Sequence, residues 1–195
     1  MPEIDWEKQW EMHAKGFDKG LLTLSIPGYG DIRLKPGPGF GDLSHATTRL
    51  SLDLMTEYVK GREVIDIGCG SGILSLAASA MGAKNVVGID IDSGAIGHSI
   101  ENQKLNEMTN IVFLFPEDFL TPPSSPMMVM NMIRSEQVQA WEALSQLHRL
   151  NGTIITSGIL TEDSEKYLAK TEEWGWRLVK TKTEDGWSAF VFMTE

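Results

Sequence analysis

Glu63-Val64-Ile65-Asp66-Ile67-Gly68-Cys69-Gly70-Ser71-Gly72-Ile73-Leu74, followed by Asn85-Val86-Val87-Gly88-Ile89-Asp90, decides the fold class of this chain. Glu63 to Ile67 is a short apolar run that enters a glycine loop, and it reads as a buried strand. Ile73 to Met81 is apolar nearly all round and reads as a helix; Asn85 to Ile89 reads as a second strand. Strand, tight turn, helix and strand make one βαβ unit of a doubly wound sheet. In such a sheet ligands bind beyond the carboxyl ends of the strands, and the loop after the first strand approaches them most closely. Glycine belongs there because a β-carbon would hold the ligand away from the backbone, and because the turn needs unusual dihedrals.

The spacing of those glycines selects the ligand. A dinucleotide fingerprint would read G-x-G-x-x-G, but the sixth position counted from Gly68 is Ile73. Gly68, Gly70 and Gly72 instead fall two apart, a loop with no pyrophosphate to hold that accommodates the amino-acid part of S-adenosylmethionine. Asp90 ends the second strand, 22 positions after Gly68, where a carboxylate can accept both hydroxyls of a ribose. Ile91 follows it and is placed at the same ligand. Asp66, inside the first strand, needs a partner if buried: the amino group of the methionine moiety or a backbone amide. After the third strand, Asp118 is a candidate acceptor for the adenine amine, and Phe119 either packs on the ring or belongs to the core. Cys69 reads as a small apolar filler, since methyl transfer from a sulfonium is direct displacement and needs no nucleophile.

Outward from this unit the alternation continues. Ala95 to Leu105 reads as helix, Ile111 to Phe115 and the methionine-rich Met127 to Met132 as strands, and Glu136 to Arg149 as helix with Val138, Trp141, Leu144 and His148 on one side. Thr121-Pro122-Pro123-Ser124-Ser125-Pro126 is a loop. Thr153 to Ser157 is a strand, Asp163 to Trp174 a helix, and Trp176 to Lys182 with Trp187 to Met193 an antiparallel pair around Asp185-Gly186. Upstream, Thr47 to Val59 reads as helix, stopped by Gly61. Before that, Asp5 to Ala14 suits a short amphipathic helix, and Leu21 to Ile26 with Asp31 to Leu34 a hairpin turning at Pro27-Gly28-Tyr29-Gly30. The expected fold is α/β: a doubly wound, mostly parallel seven-stranded sheet ending in an antiparallel hairpin, preceded by a short helix and hairpin.

Composition bounds the rest. A chain of 195 residues fits one domain, with residues 1–35 as an N-terminal extension and 36–195 as the catalytic core. No stretch nears the roughly 18 apolar residues of a membrane span, and the N-terminus is acidic where a signal peptide is basic, so a cytoplasmic location and no membrane partner are expected. One cysteine excludes an intramolecular disulfide, and four scattered histidines form no helical ligand pair, so no metal is expected. A net charge of −10 gives no support for gripping a phosphate backbone; nucleic acid is disfavoured, and a basic protein surface is the better partner.

Several segments together resemble a known family. Pro36-Gly37-Pro38-Gly39-Phe40-Gly41, His45-Ala46-Thr47-Thr48 and Val64 to Leu74 resemble the PrmA-type ribosomal-protein methyltransferases, and Gly158-Ile159-Leu160 is similar too. The likeness runs from about residue 30 to 195, and the combination of loops is far more specific than any one of them. It implies a class I methyltransferase with S-adenosylmethionine as cofactor. Position by position it implies that Thr48, Gly68, Asp90 and Asn131 contact the cofactor or border the acceptor, with Phe40 shaping the pocket. Three departures stand out. The family's recognition domain has no room in the 35 residues before Pro36; Asp42-Leu43 replaces the family's Thr-Gly; and Pro126 stands where an acidic residue begins the fourth strand, the last two near the expected acceptor channel.

The acceptor is read from the residues after the fourth strand. Enzymes that methylate planar amides or base amines place Pro-Pro-aromatic there, whereas this chain has Asn131-Met132-Ile133-Arg134. Without an aromatic platform, an aliphatic amine such as a protein lysine or N-terminal amine fits better. Asn131 is expected to orient that amine with its carbonyls, though an asparagine here also serves as a cap. His45 either relays a proton or caps the helix it precedes. Three readings stay open: a protein amine methyltransferase, a small-molecule methyltransferase, and a non-catalytic S-adenosylmethionine-binding module.

Overall fold

The computed structural model describes residues 6–13, 17–26, 28–41 and 45–194. Asp42-Leu43, Pro27 and the ends of the expected first helix lie outside the described residues. In chain order the elements are α1 (Trp6–His13), β1 (Phe17–Asp18), β2 (Leu21–Ile26), β3 (Gly30–Leu34), α2 (Ala46–Met55), β4 (Glu63–Ile67), α3 (Ile73–Ala80) and β5 (Asn85–Ile89). There follow α4 (Ser93–Leu105), β6 (Ile111–Leu114), β7 (Met127–Asn131), α5 (Arg134–Ala143), β8 (Gly152–Leu160), α6 (Ser164–Glu173), β9 (Arg177–Glu184) and β10 (Trp187–Thr194).

The seven-stranded sheet runs β6-β5-β4-β7-β8-β10-β9. Pairings from β6 to β8 are parallel, while β10 lies antiparallel between β8 and β9. The order reverses between β4 and β7, which opens the switch-point crevice at their carboxyl ends. Central strands are apolar at nearly every position because both faces are covered. Val64, Val129, Ile155 and Val191 enter one core with α2, α3 and α4, while Ile65, Met130, Ile154 and Phe192 enter another with α5 and α6. The β9–β10 turn is Asp185-Gly186 with φ of 50° and 79°, the left-handed pair a two-residue hairpin requires.

A separate three-stranded sheet, β1-β2-β3, buries Leu22, Leu24, Ile26, Ile32 and Leu34 from alternate positions. The side chain of Asn106 in the α4 cap accepts from the Arg33 amide at 2.8 Å and donates to the Arg33 carbonyl at 2.6 Å. Asn102 of α4 accepts from the Lys35 amide at 2.8 Å and donates to the Ser71 carbonyl at 2.9 Å, joining this extension to the glycine loop.

Three boundaries differ from the sequence expectation by three residues or more. The helix expected over Thr47 to Val59 ends at Met55, where the Thr56 hydroxyl takes the Asp53 carbonyl and the backbone tightens into i→i−3 bonds. The helix expected over Glu136 to Arg149 is α5, stopping at Ala143, followed by a 3₁₀ turn at Ser145–Leu147. The change of period buries Gln137, Trp141, Leu144 and Leu147 rather than Val138 and His148. Finally β8 runs to Leu160, not Ser157: Gly158, at φ 91°, carries the strand through a bulge opposite Ser188 and Phe190.

Candidate active site

A cleft of about 670 Å³ opens beyond the carboxyl ends of β4, β5 and β7. Its floor is the glycine loop, with φ of 75° at Gly68, 54° at Gly70 and 80° at Gly72. The Gly68 and Cys69 amides donate to the Ile89 carbonyl at 2.8 and 3.0 Å, fixing the loop to β5. Gly68 and Gly70 line the cleft, whereas Gly72 lies behind it as the left-handed cap of α3. Cys69 is buried, and burial pushes its thiol far above the usual range, consistent with a filler.

The proline-glycine loop presses on this floor from above. A β-carbon on Gly39 would sit 2.5 Å from the Gly70 carbonyl carbon and the Ser71 nitrogen; the Ser71 amide donates to the Phe40 carbonyl at 2.9 Å, and the Ser71 hydroxyl to the Gly41 carbonyl at 2.8 Å. His98 of α4 clamps the loop, accepting at Nδ1 from the Gly39 amide (3.1 Å) and meeting the Lys35 carbonyl at Nε2 (2.7 Å). That pattern requires the neutral imidazole protonated at Nε2. Burial above all lowers the His98 pKa and keeps it so. Sequence reading missed His98; its signal was a set of polar residues, His98, Ser99 and Asn102, on the buried face of an otherwise ordinary helix.

Asp90 is half-buried and lines the cleft. Its oxygens accept from the Gly70 amide at 2.9 Å and the Asp92 amide at 3.0 Å, and each retains a further lone pair for a ligand. Ile91 is 86% exposed and stands at the rim of the cleft. Pro116 completes this side. Asp118 is exposed in the 3₁₀ turn after Pro116, and Phe119 is packed in the core beneath α5 rather than on the cleft wall, its carbonyl held by Gln146.

Asp66 does not face the cleft. It is fully buried under α3 and accepts from the Ser75 hydroxyl at 2.7 Å. Burial is the main cause that lifts its pKa to about 7, against the Ser75 bonds and aided by the Asp90 charge. The folded chain therefore holds a proton that the unfolded chain, near 3.8, has released. The contribution of Asp66 to stability therefore falls as pH rises from about 4 to about 7 and is flat above. Urea unfolding at pH 5 and pH 8 is expected to show Asp66→Asn losing less stability than the parent between the two, by on the order of 2 kcal/mol; equal losses would reject the protonated state.

At the other end of the cleft, Asn131 closes β7 and is 9% exposed. Its Nδ2 donates to Thr48 Oγ1 at 3.3 Å, which orients the amide and leaves Oδ1 for a donor. Thr48 is fully buried behind Asn131, while the neighbouring Thr47 lines the cleft. His45 is the N-cap of α2, its Nδ1 2.8 Å from Thr47 Oγ1. Its ring stands between Phe40 (5.8 Å) and Trp187 (5.0 Å), both edge to face, so three aromatic rings from two distant segments make one wall. Pro126 is far from this wall: it precedes the amino end of β7, and the five residues of that strand put roughly 16 Å between it and the cleft. The expectation that it borders the acceptor channel is corrected by the strand's direction. Another cavity, of about 360 Å³ between α6 and β9, contains none of the expected residues.

Among the described residues, the charged side chains on the cleft wall are Asp90, Asp92 and Glu136, all acidic, which suits a cationic ligand. A β-carbon on Gly70 would lie 2.5 Å from the Phe40 carbonyl oxygen, so glycine at this position is required by the packing of the proline-glycine loop on the floor.

Comparison with known proteins agrees with this geometry. The family described as ribosomal protein L11 methyltransferase (PrmA) matches residues 1–195. A ribosomal protein L11 methyltransferase of Macrococcus caseolyticus is 32% identical over 99% of this chain and 66% of its own length; that of Dictyoglomus thermophilum is 31% identical over 99% and 67%. The chain thus spans about two thirds of the relatives it matches. In structure it is similar to a ribosomal protein L11 methylase of Lactobacillus delbrueckii subsp. bulgaricus, with a TM-score of 0.68, 27% identity, and coverage of 83% of this chain and 84% of that one.

Proposed function

Because the chain belongs to the ribosomal protein L11 methyltransferase family, we propose that its cleft binds S-adenosylmethionine and that it methylates an amine nitrogen of a protein, a lysine or N-terminal amine of a ribosomal protein. The observation that carries this reading is the join of two half-sites in one cleft: glycine floor and Asp90 at one end, Asn131 with its free carbonyl at the other. Gly68 and Gly70 would receive the amino-acid part and Asp90 the ribose, with Ile91 and Pro116 against the base. When bound, the sulfonium supplies a methyl carbon already activated for displacement.

The chain's own residues do the rest. Positioning contributes most when the electrophile is already reactive. Asn131 Oδ1 accepts from the amine N–H and so aims the nitrogen lone pair, and Thr48 keeps that carbonyl from turning away. Phe40, Trp187 and Met132 make this end of the cleft apolar, which disfavours the ammonium form and delivers a neutral amine. Glu136 and Asp92 give an acidic approach for a basic substrate. The acceptor surface is aliphatic and aromatic without a stacking pair after Asn131, in keeping with an aliphatic amine.

Asp90→Ala is expected to weaken S-adenosylmethionine binding by about 1–3 kcal/mol, the loss of a charge-assisted bond to a ligand. Titration calorimetry of parent and variant tests it. No measurable cofactor binding by the parent would remove the proposal, and equal affinities would move the ribose elsewhere.

A further inference from the structure

Gln137 of α5 is a glutamine with no exposed surface, a residue type rarely buried unless its amide is fully used. Its Nε2 donates to the Met132 carbonyl at 2.7 Å and to the Ser157 carbonyl at 2.8 Å. Its Oε1 accepts from the Tyr167 hydroxyl at 2.6 Å, and Tyr167 is itself fully buried on α6 between Phe190 and Phe192. Two carbonyls on one side fix which end is nitrogen, so the amide has one orientation.

Those two carbonyls bracket Asn131. Met132 follows it in the chain, and Ser157 is its register partner across β8. Met132 also reaches the other half of the cleft, for any β-carbon on Gly68 would collide with the Met132 sulfur, and one on Gly158 with the Met132 carbonyl. One side-chain amide therefore ties the turn after β7 to the bulged end of β8, and a hydroxyl from another helix holds that amide in place.

We infer that Gln137, braced by Tyr167, is the positioning residue that sets the Asn131-Met132 turn for methyl transfer. The inference rests on the proposed role of Asn131 toward the acceptor amine. Gln137 touches neither ligand; it acts by fixing the backbone from which Asn131 projects. Tyr167→Phe leaves both donations in place but strands the buried Oε1 without a donor and weakens the hold on the amide, Gln137→Met removes the donations while keeping the volume, and Gln137→Glu turns a carboxyl toward two carbonyls.

The test pairs two measurements on the full chain: hydrogen exchange of peptides covering residues 131–136, and steady-state methyl transfer to ribosomal protein L11 with S-adenosylmethionine. Expected are faster exchange in 131–136 with strands β4 and β5 unchanged, and a fall in kcat of about 10-fold for Tyr167→Phe and up to about 100-fold for Gln137→Met. The cofactor dissociation constant stays within about twofold, as no binding contact is removed. A purely structural role would instead raise exchange across the sheet and lower cofactor affinity in step. Unchanged exchange in 131–136 in both variants overturns the inference, and so does unchanged kcat where the parent is active. A parent that transfers no methyl while exchange responds as described contradicts the acceptor reading and leaves the positioning network standing.

Discussion

Asn131→Ala lowers kcat for methyl transfer by about 100- to 1,000-fold, the cost of losing a preorganised hydrogen-bonding group at the reacting atoms. Cofactor affinity changes by less than about tenfold, because the glycine floor and Asp90 stay intact. The reason for the asymmetry is geometric. Asn131 lies at the end of β7, where donation from its amide nitrogen to Thr48 orients the group and leaves the carbonyl oxygen as acceptor for the proposed amine. Thr48→Val produces a milder version of the same defect: the amide can flip, and a fraction of molecules present nitrogen to nitrogen. Single-turnover rates with labelled cofactor separate the chemical step from binding. An Asn131→Ala protein with parental kcat would remove Asn131 from the transfer step.

Gly70→Ala has the largest expected effect on the cofactor. The residue sits at φ 54°, which costs an alanine about 1–2 kcal/mol, and its β-carbon would lie 2.5 Å from the Phe40 carbonyl oxygen. That oxygen cannot withdraw freely, since it accepts from the Ser71 amide, and the neighbouring Gly39 is itself packed against the Gly70 carbonyl. Displacing the proline-glycine loop forfeits at least one more bond of about 1 kcal/mol. The variant is expected to unfold about 2–4 kcal/mol more easily and to bind no measurable cofactor. Gly61→Ala is the control: the dihedral is left-handed at 73°, yet nothing lies within 4 Å of the added carbon, so stability drops by about 1–2 kcal/mol and cofactor binding persists. Denaturant melts and calorimetry on the two variants check both statements; a Gly70→Ala protein that binds like Gly61→Ala would contradict the floor.

How much of this was legible in the sequence depends on how local each cause is. β4, the glycine loop and β5 are written in consecutive residues, and their boundaries at Glu63–Ile67 and Asn85–Ile89 stand where periodicity and turn chemistry put them. The Asp-Gly hairpin is equally local. The end of α5 was not, because nothing in Leu144 to Arg149 breaks a helical pattern; the His148 ring bonding back to the Trp141 carbonyl at 2.7 Å belongs to the folded 3₁₀ turn. The strand expected over Thr153 to Ser157 continues past Gly158, whose close approach to the Met132 carbonyl is a contact in space and not a local signal.

At the site the same division holds. Gly68, Gly70, Asp90, Ile91, Asn131, Phe40 and His45 all reach the cleft, each flagged by a motif or by its place at a strand end. Asp66 and Thr48 lie behind the wall, hydrogen-bonded to Ser75 and Asn131. Phe119 faced two readings, and packing under α5 placed it in the core. His98, Gln137 and Tyr167 carry no motif; they become visible once three segments close around them.

If one cleft holds a methyl donor at Asp90 and an amine acceptor at Asn131, transfer to protein is the property to measure. Incubating the chain with methyl-labelled S-adenosylmethionine and purified ribosomal protein L11, then locating the label by mass spectrometry of the protein digest, reads it out. The expected result is label on amine nitrogens of the ribosomal protein, lost with Asn131→Ala and with Gly70→Ala. Cofactor binding with no label on the protein, or label confined to small molecules in a cell extract, would contradict the two-ended cleft.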